Sequence, residues 1–506
     1  MSDVKSLLRS HGPCLTSELI TTISSSGVSS AAARKRVQRA QDDPEVQRLA
    51  GLRFEKNARF IYLSEQYGTR EFWRAFEQAC RTAGLSYWCA ISTLRSRGGI
   101  VPVQYFSVVS GAPRNRKNQL SPDRILERLI AVKALVITEF SETCFVELNP
   151  FLGISQGLNR LRAEEIAEDV ALHGLHEWAK RIGIGSYDRF NIRGGAQEAE
   201  VSGVSWDMSA PSYIRPLMSV HNGKASPGFF VCDLNLYETL TDDAALAFVR
   251  KCDLAAAPQK SRPIMPMIVA QVFSADALST LKSKGILAVT LRNLFGVELA
   301  DALRSLVLLL SDFGARAAAN PEHVRTVMKT LTRITGSADN LRGALFELVV
   351  GCLVKDVEGG YLETGRRATD LESGRKAEID VLLNLPDGRG LLVVECKAKT
   401  PSSKVSLRDV QRWYGDRAPL INSIFSEDSR RDGKPIRFEL WTNGAFVDSA
   451  RDWFAQQRHE HEGYTTSIVD GEELKRYSLQ ATNSSLRDTL NEHYFRSPLR
   501  TVSGHR

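Results

Sequence analysis

The 506-residue chain lacks several features that would place it in a broad class of protein. It has no apolar run of about 18 residues, so we expect no membrane-spanning helix and no membrane partner. It has no Walker A sequence, so we expect this chain not to use ATP. Its eight cysteines are scattered, without a CxxC pair or a histidine cluster beside one. That pattern predicts free, mostly buried thiols rather than disulfides or zinc ligands.

The first residues, MSDVKSLLRSHGP, are polar and of mixed charge, without the apolar core of a signal peptide. We therefore expect a cytoplasmic protein. The composition, 43% hydrophobic and 25% charged, is typical of globular proteins. A net charge of +7 and a pI of about 8.9 permit a polyanionic partner without demonstrating one. The length predicts about three to four domains.

Residues 1–65 are typical of a winged helix-turn-helix. Three short helical patterns, the third capped by Ser29, precede two apolar runs, LRF and RFIYL, which predict the hairpin of a wing. The residues predicted on the outer face of the third helix are Arg34, Lys35, Gln38 and Arg39. Such side chains suit the phosphates and base edges of a DNA duplex. The alternative is a protein-binding winged helix whose basic face is merely solvated.

Four further segments follow along the chain. Residues 66–150 end in a helical pattern and a hairpin pattern, which is typical of a second winged-helix-like module. Residues 151–295 predict an α/β domain in which FFVCDLNL is a buried strand. Residues 296–336 predict a helical bridge, and residues 337–490 alternate strands and helices, which predicts an α/β sandwich. We therefore expect a multidomain protein that combines α/β and α+β domains.

Three charged residues stand inside apolar runs of the last domain. After a polar loop, Asp380 lies in AEIDVLLNL; the turn PDGRG then leads into LLVVECKAK, which contains Glu395 and Lys397. A charge in a buried strand is costly unless it is paired. Because residues two apart on a strand point to the same side, Glu395 and Lys397 share a face. If the two strands form a hairpin, Asp380 reaches the same edge.

The cluster suits metal-dependent chemistry on phosphate. Carboxylate oxygens of Asp380 and Glu395 are ligands that Mg²⁺ prefers, and the ion lowers the pKa of a bound water. Lys397 would orient that water or stabilise the phosphate. Glu347, from the preceding helix, would complete the metal shell, and Lys399, farther along the same side, would contact phosphate. The alternative is a buried ion pair between Lys397 and one of the carboxylates.

At these residues the chain resembles the PD-(D/E)xK nuclease superfamily. Four residues match its E…D…ExK core: Glu347, Asp380, Glu395 and Lys397. The helix LRGALFELVVGCLV and the segment ELWTNGAFVDSARDWFAQQ are similar to parts of restriction-endonuclease-like catalytic domains of the Mrr type. The resemblance covers about residues 337–475. The proline that opens the family's label is missing, because AEID stands there.

The resemblance implies a restriction-endonuclease-like α/β sandwich that hydrolyses phosphodiester bonds with Mg²⁺, for which Mn²⁺ would substitute. The implied catalytic residues are Asp380, Glu395, Lys397, Glu347 and Gln411, the last of which lies in the helical pattern after the ExK strand. The implied metal ligands are Asp380, Glu395, Glu347 and the backbone carbonyl of Cys396. DNA is the usual substrate of the family.

Residues 200–295 contain a stretch that can be laid on this core. GFFVCDLNLYETL aligns with GLLVVECKAKTPS, so Asp233 and Asn235 take the places of Glu395 and Lys397. The tripeptide at 213–215, or its neighbours, would take the place of the one at 378–380, which leaves the copy without its first carboxylate and its lysine. Two hypotheses stay open. The segment is either a degenerate nuclease-like domain, serving structure or nucleic-acid binding, or an unrelated α/β segment.

We therefore expect a metal-dependent DNA endonuclease, and the resemblance favours a role in restriction or anti-phage defence. The alternatives are a repair or recombination nuclease that reads DNA structure and a catalytically inert DNA-binding regulator. DNA is the expected partner. We also consider a homodimer, because cutting both strands usually takes two active sites, and a partner protein that restrains or activates cleavage.

Overall fold

The computed structural model has a mixed α/β architecture built from several sheets. It describes residues 4–140, 143–221, 224–258, 262–311, 321–335, 339–370, 373–400, 403–426 and 433–495. In these ranges no helix is both long and apolar enough to cross a membrane. The chain divides into two compact units, one with Met1–Gly157 and Leu175–Gly296 and the other with Leu158–Gly174 and Val297–Arg506. All eight cysteines are free thiols, and six of them are buried, as expected.

The N-terminal module has the winged-helix order of elements. Its helices are Val4–His11, Thr16–Ser25 and Ser30–Ala40, and its strands are β1 (Cys14–Leu15), β2 (Val46–Arg48) and β3 (Phe60–Leu63). The strands form an antiparallel sheet in the order β1–β3–β2. The Ser29 hydroxyl accepts a hydrogen bond from the backbone N–H of Ala32 at 3.3 Å, which is the predicted cap of the third helix.

The predicted wing differs in one strand. The run LRF was expected to form its first strand, but that strand is β2, which ends at Arg48. Leu52 and Phe54 instead bury their side chains in the core, so their apolar character serves packing rather than strand pairing. The turn expected at residues 55–57 contains left-handed backbone at Lys56 and Asn57.

The second module repeats this order of elements. Its helices are Arg70–Ala83, Leu85–Ser96, Phe106–Ser110 and Pro122–Ala131, and its strands are β4 (Ile100–Pro102), β5 (Leu135–Phe140) and β6 (Thr143–Leu148). The sheet order is β4–β6–β5, with both pairings antiparallel. The last three helices and the three strands therefore follow the same order along the chain as in the first module, and the strands have the same order in the sheet.

A mixed sheet forms the centre of the chain. Its strands are β7 (Asn191–Ile192), β10 (Met208–Ser212), β13 (Gly228–Leu240), β14 (Ile264–Phe273) and β15 (Leu287–Thr290), and short hairpins are formed by β8 (Glu200–Val201) with β9 (Val204–Ser205) and β11 (Ser219–His221) with β12 (Lys224–Ser226). The sheet order is β7–β10–β13–β14–β15. The first two pairings are antiparallel and the last two are parallel. The helices Asp242–Ala256, Ala275–Ser283 and Leu291–Phe295 belong to the same unit as this sheet, and the helix Leu158–Arg181 precedes the sheet along the chain.

In the part of the chain that the structure describes, the C-terminal sheet has six strands, and its first five have the same relative directions as the five strands of the central sheet. Its strands are β16 (Tyr361–Thr369), β17 (Lys376–Asn384), β18 (Leu391–Lys397), β19 (Ile436–Thr442), β20 (Glu460–His461) and β21 (Tyr464–Val469). The helices are Val297–Ser311, Pro321–Thr335, Asp339–Glu358, Leu407–Arg412, Ala418–Ser426, Asp448–Ala455, Gly471–Ser478 and Ser484–Leu490. The sheet order is β16–β17–β18–β19–β21–β20. The segment expected as a polar loop is strand β16, whose polar residues suit a strand at the edge of a sheet.

Five strands of the central sheet and five strands of the C-terminal sheet have the same order and the same relative directions. In the C-terminal sheet, β16–β17 and β17–β18 are antiparallel, whereas β18–β19 and β19–β21 are parallel. This matches β7, β10, β13, β14 and β15 one by one. A helical segment joins the third strand to the fourth in each sheet, and a helix follows the fourth strand in each. The shared order supports the hypothesis that the two sheets belong to copies of one fold.

The register corrects the alignment proposed for this copy. β10 and β13 pair Met208 with Cys232, so the next residues outward are Asp207 and Asp233. In the same way β17 and β18 pair Val381 with Val394, and the next residues outward are Asp380 and Glu395. Asp207 therefore stands where residues 213–215 were expected, because those residues follow β10 rather than form it. The central copy keeps its first carboxylate.

Strand β18 is apolar because both of its faces are covered. All of its residues except Lys397 are buried, as is usual for a strand with a parallel neighbour. Leu391 and Val393 pack in one cluster with Trp413 and Phe425 from the following helical segment. The polar end of the strand, from Glu395 onward, is thus held in place by a packed core.

The aromatic core of the first two modules generates a stability prediction. Phe60 of β3 is fully buried and packs edge-to-face against Phe72 and Phe76, at centroid distances of 5.5 and 6.0 Å. We expect Phe60→Ala to lower the free energy of unfolding by about 3–5 kcal/mol, because it removes these contacts and leaves a cavity. Urea denaturation measures the change. Phe151→Ala is the control, because Phe151 is 56% exposed and its loss should cost little.

Candidate active site

Two buried carboxylates meet where β17 and β18 cease to pair. Asp380 is 6% exposed and Glu395 is 4% exposed. One oxygen of Asp380, Oδ2, accepts a hydrogen bond from the backbone N–H of Cys396 at 2.8 Å. This bond occupies the position where a ladder bond would otherwise lie, so it fixes Asp380 against the ExK strand. The predicted convergence of Asp380 with Glu395 is present.

Lys397 lies on the same face of β18 as Glu395. Its Nζ atom is 2.8 Å from Glu395 Oε1. The ion pair considered as the alternative therefore exists, and further carboxylates adjoin it. Burial alone would lower the pKa of Lys397, whereas Glu395 and Asp380 raise it, and the net shift is upward. The amine is held as a cation at the end of the strand.

Two arginines that the sequence did not point to join the cluster. Arg162, on the helix Leu158–Arg181, pairs with Glu347 at 3.3 Å and also with Glu378. Arg417 pairs with Glu395. Glu378 itself could have been found, because it stands two residues before Asp380 on one strand and so shares its face. Nothing in the sequence near residue 162 indicates its partners, which lie 185 and 216 positions away.

A wide helical turn positions Arg417. The segment Trp413–Arg417 is a π-helix between the helices Leu407–Arg412 and Ala418–Ser426. Trp413 is buried in the core on one side, while Arg417 reaches Glu395 on the other. Single π-turns inside α-helices occur often at functional sites, because they change which face a side chain leaves from.

The cluster has more acids than bases. Among the residues that the structure describes, four carboxylates (Glu347, Glu378, Asp380 and Glu395) adjoin three cations (Arg162, Lys397 and Arg417). Burial, together with Glu395 and Glu347, raises the pKa of Asp380 well above its usual range. Burial also raises the pKa of Glu347, although Arg162 opposes this shift. A buried acid with a raised pKa is a group that an added cation would stabilise in its charged form.

The donor set fits Mg²⁺ with few protein ligands. In the part of the chain that the structure describes, no group of three or more His, Cys, Asp and Glu side chains is arranged to hold a metal. Glu347 turns toward Arg162 rather than completing a shell of three carboxylates. Mg²⁺ is nevertheless commonly bound by one or two carboxylates, with water and substrate phosphate as the remaining ligands. Asp380 and Glu395 are the two carboxylates that would hold the ion, and the carbonyl of Cys396 is the remaining predicted ligand.

Two other predicted residues, Gln411 and Lys399, follow strand β18 along the chain. Gln411 is exposed on the helix Leu407–Arg412, and it is Arg417, half-buried and six residues on, that contacts Glu395. The Nζ atom of Lys399 is 3.8 Å from the carboxylate of Asp409. At this distance, and with the two side chains 24% and 40% exposed, the pair contributes little to stability.

The TNG turn after β19 holds the end of the ExK strand. Asn443 is buried; its Oδ1 accepts from the backbone N–H of Lys399 at 2.6 Å, and its Nδ2 donates to the carbonyl of Lys399 at 2.9 Å. This double contact fixes the backbone two residues past Lys397. It gives a physical reason for an asparagine at that place in the motif.

The winged-helix residues predicted to contact DNA are on the surface of the first unit. Arg34, Lys35, Gln38 and Arg39 are all exposed on the helix Ser30–Ala40, whereas Ala33 and Val37 of that helix are buried. The wing adds further exposed basic residues, namely Arg48, Arg53, Lys56 and Arg59. A basic helix beside a basic loop is the arrangement that suits a duplex backbone.

The Asn443 contact predicts a measurable loss of stability. We expect Asn443→Ala to lower the free energy of unfolding by about 1–3 kcal/mol, because the backbone N–H and carbonyl of Lys399 lose their partners. Asn443→Asp should cost at least as much, since it places a buried carboxylate oxygen against the backbone carbonyl of Lys399. Urea denaturation of the three proteins gives the comparison. Equal stability of all three would contradict this role for Asn443.

Comparisons with known proteins add one structural likeness. No protein-family model matches the chain, and no curated protein does. A chain of the solved structure "MspJI Restriction Endonuclease in Complex with 27-mer Oligonucleotide" is similar to this one at 16% identity, with a TM-score of 0.18. The match spans 38% of this chain and 40% of that chain. The likeness is confined to less than half of either chain, and the proposals for this chain come from its own residues.

Proposed function

We propose that the protein is a metal-dependent endonuclease that hydrolyses phosphodiester bonds of DNA. The observation that carries the proposal is the pair of buried carboxylates, Asp380 and Glu395, fixed side by side at the end of an apolar strand with Lys397 on the same face. Burying acids in surplus over bases is costly for stability, so their clustering calls for a chemical role.

Each residue has a role that its position supports. Asp380 and Glu395, with the carbonyl of Cys396, would hold Mg²⁺, or Mn²⁺ in its place. When bound, the ion supplies a water of lowered pKa and neutralises charge on phosphate. Lys397 is held charged beside Glu395 and would orient the attacking water or meet the phosphate. Arg162 keeps Glu347 and Glu378 paired, and Arg417 adds a cation next to Glu395.

The winged-helix module would bring DNA to this chemistry. Its third helix exposes Arg34, Lys35, Gln38 and Arg39, and the wing exposes further arginine and lysine side chains. Contacts from arginine and lysine to phosphate supply affinity that does not depend on base sequence. Gln38 is the residue of this set best suited to read a base edge.

The chain contains a natural control for the catalytic assignment. A second ExK, Glu473 and Lys475, lies exposed on the helix Gly471–Ser478. We expect Glu395→Gln and Lys397→Ala each to lower the rate of Mg²⁺-dependent cleavage by at least about a hundredfold. The first would weaken binding of the metal, and the second would remove the cation that orients the attacking water or meets the phosphate. Glu473→Gln and Lys475→Ala should leave the rate unchanged.

Plasmid cleavage with and without Mg²⁺ measures these rates, and circular dichroism checks that the variants fold. Full cleavage by both the Glu395 and the Lys397 variants would refute the assignment. An inert DNA-binding regulator, the alternative from another class, predicts no cleavage by the unaltered protein with either Mg²⁺ or Mn²⁺.

DNA binding by the first module is tested separately. We expect Arg34→Ala, Lys35→Ala and Arg39→Ala each to weaken binding about equally on all sequences and to reduce the slope of log K against log salt by about 1 per lost phosphate contact. Gln38→Ala should change the preference among sequences instead. Fluorescence anisotropy at several salt concentrations measures both effects. The control is Arg476→Ala, because Arg476 is an exposed arginine on the C-terminal helix Gly471–Ser478. An effect of Arg476→Ala as large as that of Arg34→Ala would contradict this assignment.

The biological role is a choice between two kinds of substrate. The resemblance favours restriction or anti-phage defence, which predicts that base modification changes the rate of cleavage. A repair or recombination nuclease would instead distinguish linear from branched DNA of one sequence. Cleavage of modified, unmodified, linear and branched DNA under one set of conditions separates the two.

A further inference from the structure

The central sheet carries a second cluster of buried charges at the position that corresponds to the candidate active site. Asp207 and Asp233 stand opposite each other just beyond the β10–β13 ladder, as Asp380 and Glu395 do beyond β17–β18. One Asp207 oxygen accepts the backbone N–H of Leu234 at 2.8 Å. Asp380 makes the equivalent bond, of the same length, to Cys396. The likeness thus extends from strand order to a single hydrogen bond.

Cations surround this second pair of carboxylates closely. Arg97 and Arg193 both donate to Asp207, the latter at 2.9 Å. Lys251 lies 2.5 Å from Asp233, on the helix that leads from β13 to β14. Arg417 contacts Glu395 from the corresponding segment between β18 and β19. All five charged side chains of the central cluster are at most 7% exposed.

The surplus of acid seen in the C-terminal cluster is reversed here. In the ion pairs seen among the described residues, two carboxylates face three cations. Burial alone would raise the pKa of Asp207, but Arg97 and Arg193 lower it below its usual range. Burial raises the pKa of Asp233 although Lys251 opposes this shift. The charged form is therefore less well stabilised at Asp233 than at Asp207. A divalent cation would meet net positive charge at this point.

Several of these contacts come from the second winged-helix module. Arg97 directly follows its helix Leu85–Ser96, and Ser96 accepts a hydrogen bond from Asn235 at 2.9 Å. Asn235 is the residue at the position of Lys397. Lys251 also donates to the carbonyl of Val108 at 3.1 Å, and Val108 lies in the module's next helix. The module therefore covers the end of β13 that corresponds to the ExK end of β18.

We infer that the central domain is a second copy of the C-terminal fold in which Arg97, Arg193 and Lys251 replace the divalent cation, and that this face has become the joint that binds the second winged helix. A joint of this kind needs every charge to keep its partner, since a lone buried charge is strongly destabilising. It also needs no metal. The inference about metal rests on the proposed function only for its comparison with the C-terminal site.

The first test counts metal sites on the full-length protein. Mn²⁺ binding is followed by electron paramagnetic resonance for the wild type, for Asp380→Asn/Glu395→Gln and for Asp233→Asn/Lys251→Met. The central variant should bind Mn²⁺ as the wild type does, and the C-terminal variant should lose the specific binding. Binding that survives in the C-terminal variant and disappears in the central one would overturn the inference. If no Mn²⁺ binds the wild type, the proposed function fails, and the joint is decided by the second test.

The second test measures how tightly the winged helix is held. Hydrogen exchange is compared over Leu85–Ser96 and Phe106–Ser110. Lys251→Met and Asp233→Asn each leave a buried partner unpaired and should speed exchange there at least about tenfold. The double variant removes both charges and should restore much of the protection. If a single variant does not fold, folding of the double variant with slow exchange supports the joint.

An exposed ion pair provides the matched control. Arg81 and Asp243 are 3.1 Å apart and connect the helix Arg70–Ala83 to the helix Asp242–Ala256, but their side chains are 49% and 32% exposed. Asp243→Asn should change exchange by less than about twofold, because exposed pairs contribute little. Unchanged exchange in both single variants of the buried pair would overturn the joint.

Discussion

The pairing of β17 with β18 places Asp380 beside Glu395, and the hydrogen bond from Cys396 N–H holds Asp380 there. The rest of the site depends on this contact. The apolar residues of β18 bury the strand, and their packing on both faces holds Glu395 and Lys397 in position. Asn443 fixes the backbone after Lys397. A shift of one residue in the register would turn every side chain of β18 to the opposite face and separate the two carboxylates.

The same register occurs twice in the chain, with opposite electrostatic results. Around Asp380 and Glu395, carboxylates outnumber the bases that contact them. Around Asp207 and Asp233, bases outnumber carboxylates. One arrangement of strands can thus present either a site that attracts a cation or a closed set of ion pairs, according to which side chains the neighbouring helices contribute. This difference is the physical basis for proposing catalysis at the C-terminal cluster. For the central cluster it is the basis for proposing a structural role, as the joint to the second winged helix.

Local patterns in the sequence predicted much of this structure. The helix caps, the apolar faces and the alternation of strands and helices act over a few residues, so the helix Ser30–Ala40 and strands β17, β18 and β19 could be predicted. The convergence of Asp380, Glu395 and Lys397 also followed from strand geometry. Edge strand β16 was missed, since its polar residues resemble a loop.

The parts that could not be predicted depend on distant contacts. Arg162 meets Glu347 and Glu378 only through the folded chain, and Arg417 faces Glu395 because of a π-turn that has no local pattern. The first carboxylate of the central copy was misplaced for a similar reason. Asp207 precedes a short strand, and only the register of β10 against β13 identifies it.

The most direct test of the account is X-ray anomalous scattering from crystals of the full-length protein soaked in MnCl₂. The account predicts a Mn²⁺ peak bounded by Asp380, Glu395 and the carbonyl of Cys396, and none between Asp207 and Asp233. A peak at the central pair, or none at Asp380 and Glu395, would contradict it.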